Sequence, residues 1–334
     1  MNSKHLLLAS AAILSLAACN KTVTEPVQSQ FPEDGVMRFT TNLVDPTIAT
    51  TRASITGSDV NQNGQQFQVK IVNPTSATYS YFNTVQYDGS EWTPINRMLW
   101  QNDQQSITVT AAYKQGKTFS DYDFIVGANL TVAADQSTEA KLKQQDLLTM
   151  PTKTIANPSI EETLMQNGKL VINFYHALTK LDVTLDLNDE FYPANIQASD
   201  ITEFTIKGTN AGYQFKAMET ANENYGTVTV TASTAADILA NQYNFTAGTA
   251  ESKHSTAKYE AIIVPQTIAA GQLTVSFKIG TRSFSWTNTQ AYTLEQGKQY
   301  TLPLTVGNDG VTAAPRAFTA SNWENGTGGN LVTE

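Results

Sequence analysis

One cysteine in 334 residues excludes an intramolecular disulfide and any cysteine-built zinc site. Histidine is nearly as scarce, at three, and one of these, His5, lies in a segment read below as removed. Two histidines leave little for metal ligation or triad chemistry. Charge is sparse as well: 15% of residues are Asp, Glu, Lys or Arg, and acids outnumber bases 30 to 21. An acidic surface with a formal net charge of −9 repels phosphate backbones, so no nucleic-acid partner is expected. The apolar runs are too short to cross a hydrocarbon core of ~30 Å. GxSxG, HExxH, CxxC and GxGxxG are all missing. The composition thus disfavours most enzyme classes and calls for no metal or cofactor.

What is present suffices for a packed core, since 40% of residues are hydrophobic. At ~100–200 residues per domain, the length suggests two domains. Residues 1–18 read as a lipoprotein signal peptide. Lys4 supplies the positive charge, Leu6 to Ala18 the apolar stretch, and Leu16-Ala17-Ala18-Cys19 a lipobox with small residues before the cut. The Cys19 thiol would take the lipid, and two or three acyl chains anchor firmly where one binds only marginally. Residues 19–52 read as a tether and first strand, a possible propeptide: 20–35 is polar with two prolines, and 36–43 alternates. Thr50-Thr51-Arg52-Ala53 reads as an accessible loop, open to a trypsin-like or Arg-specific protease between Arg52 and Ala53.

Period-2 alternation dominates the remainder. It predicts strands at 67–72, 79–87, 92–95, 106–113 and 123–132. A second set follows at 169–176, 178–187, 201–207, 227–231, 259–264, 273–279, 282–286 and 300–306. Asp88-Gly89 and Gly280-Thr281 read as tight turns. Helical signal is confined to 138–148 and 235–243. The turn-rich stretch 151–168 reads as a domain boundary. The expected fold class is all-β: two tandem β-sandwich domains of transthyretin-like or immunoglobulin-like kind, 53–167 and 168–334 with a tail.

The chemically suggestive strings have plainer readings. Residues 111–118 (AAYKQGKT) fit a relaxed P-loop, but no helix pattern follows, so they read as a hairpin loop. Glu161-Glu162 and Asp189-Glu190 read as solvated turn carboxylates. His176 ends an apolar strand and reads as a satisfied histidine. Trp92, Trp100, Trp286 and Trp323 could stack on a sugar, yet aromatics in a sandwich serve its core first.

Several segments, taken in order, resemble the fimbrillin family, the pilin-like lipoproteins of type V pili in Bacteroidales. Gly168 to Leu181 (GKLVINFYHALTKL) is similar to the family's strand followed by H-A-L-(S/T)-K-L. Tyr259 to Thr267 (YEAIIVPQT) and Gly297 to Leu302 (GKQYTL) are similar to its (I/V)-P-Q-T and G-K-x-Y-T-L strands. The Trp92 hairpin, Trp100, Asp146-Leu147-Leu148, the lipobox and Thr51-Arg52-Ala53 stand in the expected positions. The resemblance implies two transthyretin-like sandwiches, no catalysis, and a structural subunit of a cell-surface fimbria with a role in adhesion. It implies a lipid-anchored, surface-exposed location at the outer membrane and other fimbrial subunits as partners. It also implies that cleavage at Arg52 releases the first strand and opens a groove for donor-strand exchange. A monomeric surface lipoprotein that binds a glycan or host ligand is the alternative.

Overall fold

The computed structural model describes residues 31–44, 55, 57–117, 127–160, 163–216, 226–231, 235–313 and 318–323. Its strands in chain order begin with β1 (Phe39–Leu43), β2 (Gln66–Asn73), β3 (Ser76–Tyr87), β4 (Trp92–Pro94), β5 (Ile107–Lys114) and β6 (Ala128–Thr131). Next come β7 (Leu147–Ile155), β8 (Met165–Gln166), β9 (Lys169–His176), β10 (Thr179–Leu187), β11 (Ile201–Asn210) and β12 (Gly212–Lys216). Then follow β13 (Thr227–Val230), β14 (Ala235–Leu239), β15 (Asn241–Thr246), β16 (Ser255–Ile263), β17 (Gln266–Ile268) and β18 (Thr274–Ile279). The last are β19 (Arg282–Thr287), β20 (Tyr292–Leu294), β21 (Lys298–Gly307), β22 (Gly310–Thr312) and β23 (Thr319–Asn322). Two short helices, α1 (Gly57–Val60) and α2 (Glu139–Lys143), interrupt them. The chain is all-β, as its alternation predicts.

The first sheet runs β1-β4-β3-β2-β5-β7-β9-β8, and β1 also pairs with β9. The sheet therefore wraps around its core, with β1 as the strand that joins its two sides. Alternate residues point inward: Phe67, Val69 and Ile71 from β2, Val109, Ala111 and Tyr113 from β5, and Leu170, Ile172 and Phe174 from β9. Each large side chain buried this way contributes about 1.5–3 kcal/mol.

The second core lies between two sheets. One runs β15-β16-β10-β21-β22, with β23 also on β21; the other runs β14-β11-β18-β19. Strand β10 is antiparallel to β16 and parallel to β21. Its Leu181, Val183, Leu185 and Leu187 join Phe204 and Ile206 of β11 and Val275 and Phe277 of β18. Two glycine turns fall where expected, at Gly89 (φ 100°) and Gly280 (φ 59°).

Four expectations are corrected. The stretch 151–168, read as a turn-rich domain boundary, opens as strand instead, because 147–155 is β7, paired along β5. Pro151 is accommodated where the β5–β7 register shifts, since a bulge frees a position that has no N–H to give. The boundary at 167/168 does not divide the cores: β9 pairs with β7, β8 and β1 in the first sheet, and the chain passes from β9 into the second core at Ala177 and Leu178. Conversely, Val132, Leu142 and Leu147 belong to the second core, and β6 pairs with β12 rather than forming a hairpin with β5. Helical propensity at 138–148 yields only α2, and 235–243 forms β14 and part of β15, because β11 and β16 require partners there.

Candidate functional site

The seam closed by β1 is the feature that separates this sheet from an ordinary sandwich. Five residue pairs, Phe39↔Leu170 to Leu43↔Phe174, join β1 to β9 in parallel. On the other side β1 meets β4 at a single pair, Phe39↔Trp92. The chain just before β1 extends the seam: Met37 N donates to Met98 O (3.0 Å) and Trp100 N to Gly35 O (2.9 Å). Just after β1, Val44 N donates to Phe174 O (2.9 Å).

Side chains fix the register. Met37 and Phe39, two positions apart, are both 1% exposed. Phe39 meets Phe67 edge-on at 6.0 Å, and Phe67 in turn meets Trp92 at 4.9 Å and Phe174 at 5.6 Å. Asn61 Oδ1 accepts from Thr41 Oγ1 (2.9 Å) and from Trp92 Nε1 (2.8 Å), which ties β1 to β4 where the ladder is short. Asn42 Nδ2 donates to Asn173 Oδ1 (3.1 Å) across β9. On the outer face Arg38 forks onto Asp34, and those hydrogen bonds hold the Asp34 carboxyl far below its usual range. Without β1, the backbone groups of β9 and of residues 98–100 would lose their partners along an apolar trough.

The tail forms a second docked strand. Strand β23 pairs antiparallel with β21 from Lys298↔Asn322 to Thr301↔Thr319. Phe318 stacks on Tyr292 (4.2 Å) and lies 5.3 Å from Tyr300, and Trp323 is buried against His176. His176 Nδ1 is 2.8 Å from Asp146 Oδ2, with both side chains fully buried. This agrees with the reading of His176 as a core residue, with Nδ1 paired. Burial raises the Tyr213 phenol, with the charge of Asp146 adding to the shift.

Cys19, Arg52 and Ala53 lie outside the described residues, as does Glu161-Glu162. The chain is fixed on both sides of Arg52, by Val44 in the β9 ladder and by Ile55 in the first core. The tryptophans form no platform: Trp92, Trp100 and Trp323 are buried, and Trp286 is half-buried on β19. Glu190 accepts from Asn308 N (2.6 Å) and Asn188 Nδ2 (3.1 Å), and so braces a turn. Among the described residues, no three His, Cys, Asp or Glu stand close enough to hold a metal ion. Sequence reasoning missed a buried cluster beside β10: Lys180 Nζ lies 2.6 Å from Glu260 Oε2, and Asn241 Nδ2 donates to Glu260 Oε1 (3.2 Å). Its only sequence signal is a charge set within each of two apolar strands.

No curated protein matches the chain. Among solved structures, a putative cell adhesion protein from Bacteroides uniformis superposes with a TM-score of 0.55 at 16% identity, covering 87% of this chain and 99% of that one. A second, from Bacteroides ovatus, gives 0.56 at 16% identity and covers 86% and 96%. At such identity these likenesses establish the fold. The Fimbrillin-like sequence family matches residues 51–323, which hold every strand but β1. The chain belongs to the fimbrillin-like family.

Proposed function

We propose that the protein is a structural subunit of a cell-surface fimbria. In this reading Cys19 carries lipid and anchors the exported chain at the outer membrane. Cleavage between Arg52 and Ala53 then frees β1, and an extended strand from another fimbrial subunit takes its place beside β9, with a role in adhesion. The observation that carries the reading is the seating of β1. A strand held by one pair to β4 and five to β9, with two buried anchors, is removable without unthreading the rest of the sheet. The vacated edge is a template for strand addition, with main-chain bonds giving affinity and the Met37 and Phe39 sockets giving selectivity. The docking of 318–323 on β21 supports a subunit that accepts a strand rather than lending this segment.

The test is brief trypsin digestion followed by assembly. The expected product is one stable fragment beginning at Ala53, which forms heat-resistant ladders or binds a partner subunit while the uncut chain does neither. First cuts elsewhere, or a cut chain that stays monomeric with every partner offered, would overturn the reading. A Cys19→Ala chain should leave the membrane fraction; retention there would overturn the anchor.

A further inference from the structure

We propose that Lys180 and Asn241 condense into an intramolecular amide bond, with Glu260 as the proton carrier. The three residues sit on three adjacent strands. Asn241 of β15 is directly opposite Glu260 of β16, and Glu260 is directly opposite Asp182 of β10, two residues along from Lys180. Lys180 is 1% exposed, Glu260 0% and Asn241 6%. The lysine amine lies 2.6 Å from one carboxylate oxygen, and the asparagine amide donates to the other at 3.2 Å. Amine and amide are thus gathered on one group, away from water.

The chemistry follows from that placement. Burying an ammonium and a carboxylate together is costly even when they touch, because each has given up its hydration. Glu260 takes one proton from Lys180, which leaves a neutral amine as nucleophile. Nζ attacks Asn241 Cγ, once it comes within the ~3–3.5 Å of a near-attack geometry. The new Nζ–Cγ bond forms, and the Cγ–Nδ2 bond breaks. Of the three protons on the ammonium, one stays on the new amide, one leaves with Nδ2 as ammonia, and one remains on Glu260. The step consumes no oxidant or cofactor, and it removes both buried charges. Asp182 is occupied otherwise, accepting from Tyr243 Oη at 2.9 Å and 3.1 Å.

Such a bond would link β10 to β15 across β16 and close a loop of about 60 residues. A chain with one cysteine has no disulfide with which to do this.

The intact mass of the folded, full-length protein decides the matter. The expected value lies about 17 Da below that of the sequence, the mass of one ammonia. Digestion should yield a branched peptide joining Lys180 to Asn241. Lys180→Arg and Glu260→Gln should restore the unmodified mass and lose the branched peptide. If either variant fails to fold, the wild-type mass and peptide map still decide. An unmodified wild-type mass, an ammonia loss mapped to a succinimide elsewhere, or a link from Lys180 to Gln299, which stands opposite it on β21, would overturn the proposal.

Discussion

The indole of Trp323 lies flat on the imidazole of His176, with ring centroids 4.1 Å apart and planes 6° from parallel. His176 is the last residue of β9, whose earlier residues hold β1. One strand therefore carries both docked segments, β1 along its length and the tail at its end.

Trp323→Ala should release the tail without unfolding the sheets. The variant loses a buried indole and its stack, a local cost of about 3–5 kcal/mol for an aromatic truncation. That is of the same order as the about 2–6 kcal/mol that four residue pairs of β23 supply at ~0.5–1.5 kcal/mol per net hydrogen bond, so the truncated tail loses most of its hold. Hydrogen exchange should accelerate at 298–301 of β21 and remain slow in β10 and β16. Uniform acceleration across both cores would show that the tail is integral rather than docked.

Phe39→Ala tests the seam from the other side. Phe39 is 1% exposed and touches the Phe67 ring at 6.0 Å, so truncation should cost about 3–5 kcal/mol. Thr40→Ala, on the outward-facing neighbour, should cost under ~1 kcal/mol. Chemical denaturation of both variants is the measurement. Near-equal effects would mean that β1 is not anchored by its inward face.

Most strands were legible because each buries one face and so alternates, as Phe67, Val69 and Ile71 do. Strand β7 was not, because its second half, Pro151-Thr152-Lys153-Thr154, carries turn-like residues that a bulge and an open face tolerate. At 235–243 the helix formers are overruled, since Ile238 must enter the core and β11 needs a partner. The division between cores was invisible for a different reason. Local pattern marks β9 as a strand but says nothing about whether it pairs with β7 or β10. The lipobox and Arg52 were legible as motifs, whereas the Lys180–Glu260–Asn241 cluster was not, because it depends on the register of β16 both with β15 nearby and with β10 about 80 residues away.

Gly208 marks a position where only glycine fits. It sits at φ +87°, where the register of β11 with β14 shifts, and an added Cβ would fall 1.8 Å from Gln272 O. Backbone on both sides leaves no flexible side chain to move away. Gly208→Ala should therefore destabilise by about 2–4 kcal/mol, through strain and displacement of residues 271–273. Gly271→Ala, at φ +80° with nothing within 4 Å, should cost about 1 kcal/mol or less beyond its own backbone strain. Thermal unfolding of the pair measures the difference, and equal shifts would count against the steric account.

Stability should rise from about pH 8 and peak near pH 10. Lys114 Nζ donates to Gln145 O at 3.0 Å, and burial pushes its ammonium down to about 8 from 10.5, with Asp146 pulling the other way. Between those values the unfolded chain holds a proton that the folded chain has released, so stability rises with pH. The cost of keeping Lys114 charged at pH 7 is up to about 3 kcal/mol. The buried phenols of Tyr79, Tyr113, Tyr213 and Tyr259 act in the opposite sense. Burial raises each well above its usual 10.0, so above that pH the unfolded chain loses protons that the folded chain keeps, and stability falls. In acid, Asp34 and Asp135, held low by hydrogen bonds from Arg38 and Lys141, contribute stability present above pH 3.8 and lost as pH falls. Those two are surface pairs and contribute little. Lys114→Met should raise the denaturation midpoint at pH 7 and flatten the rise from pH 8 to pH 10, while leaving the alkaline fall intact. A variant whose midpoint still climbs over that interval as the parent's does would remove Lys114 as its cause.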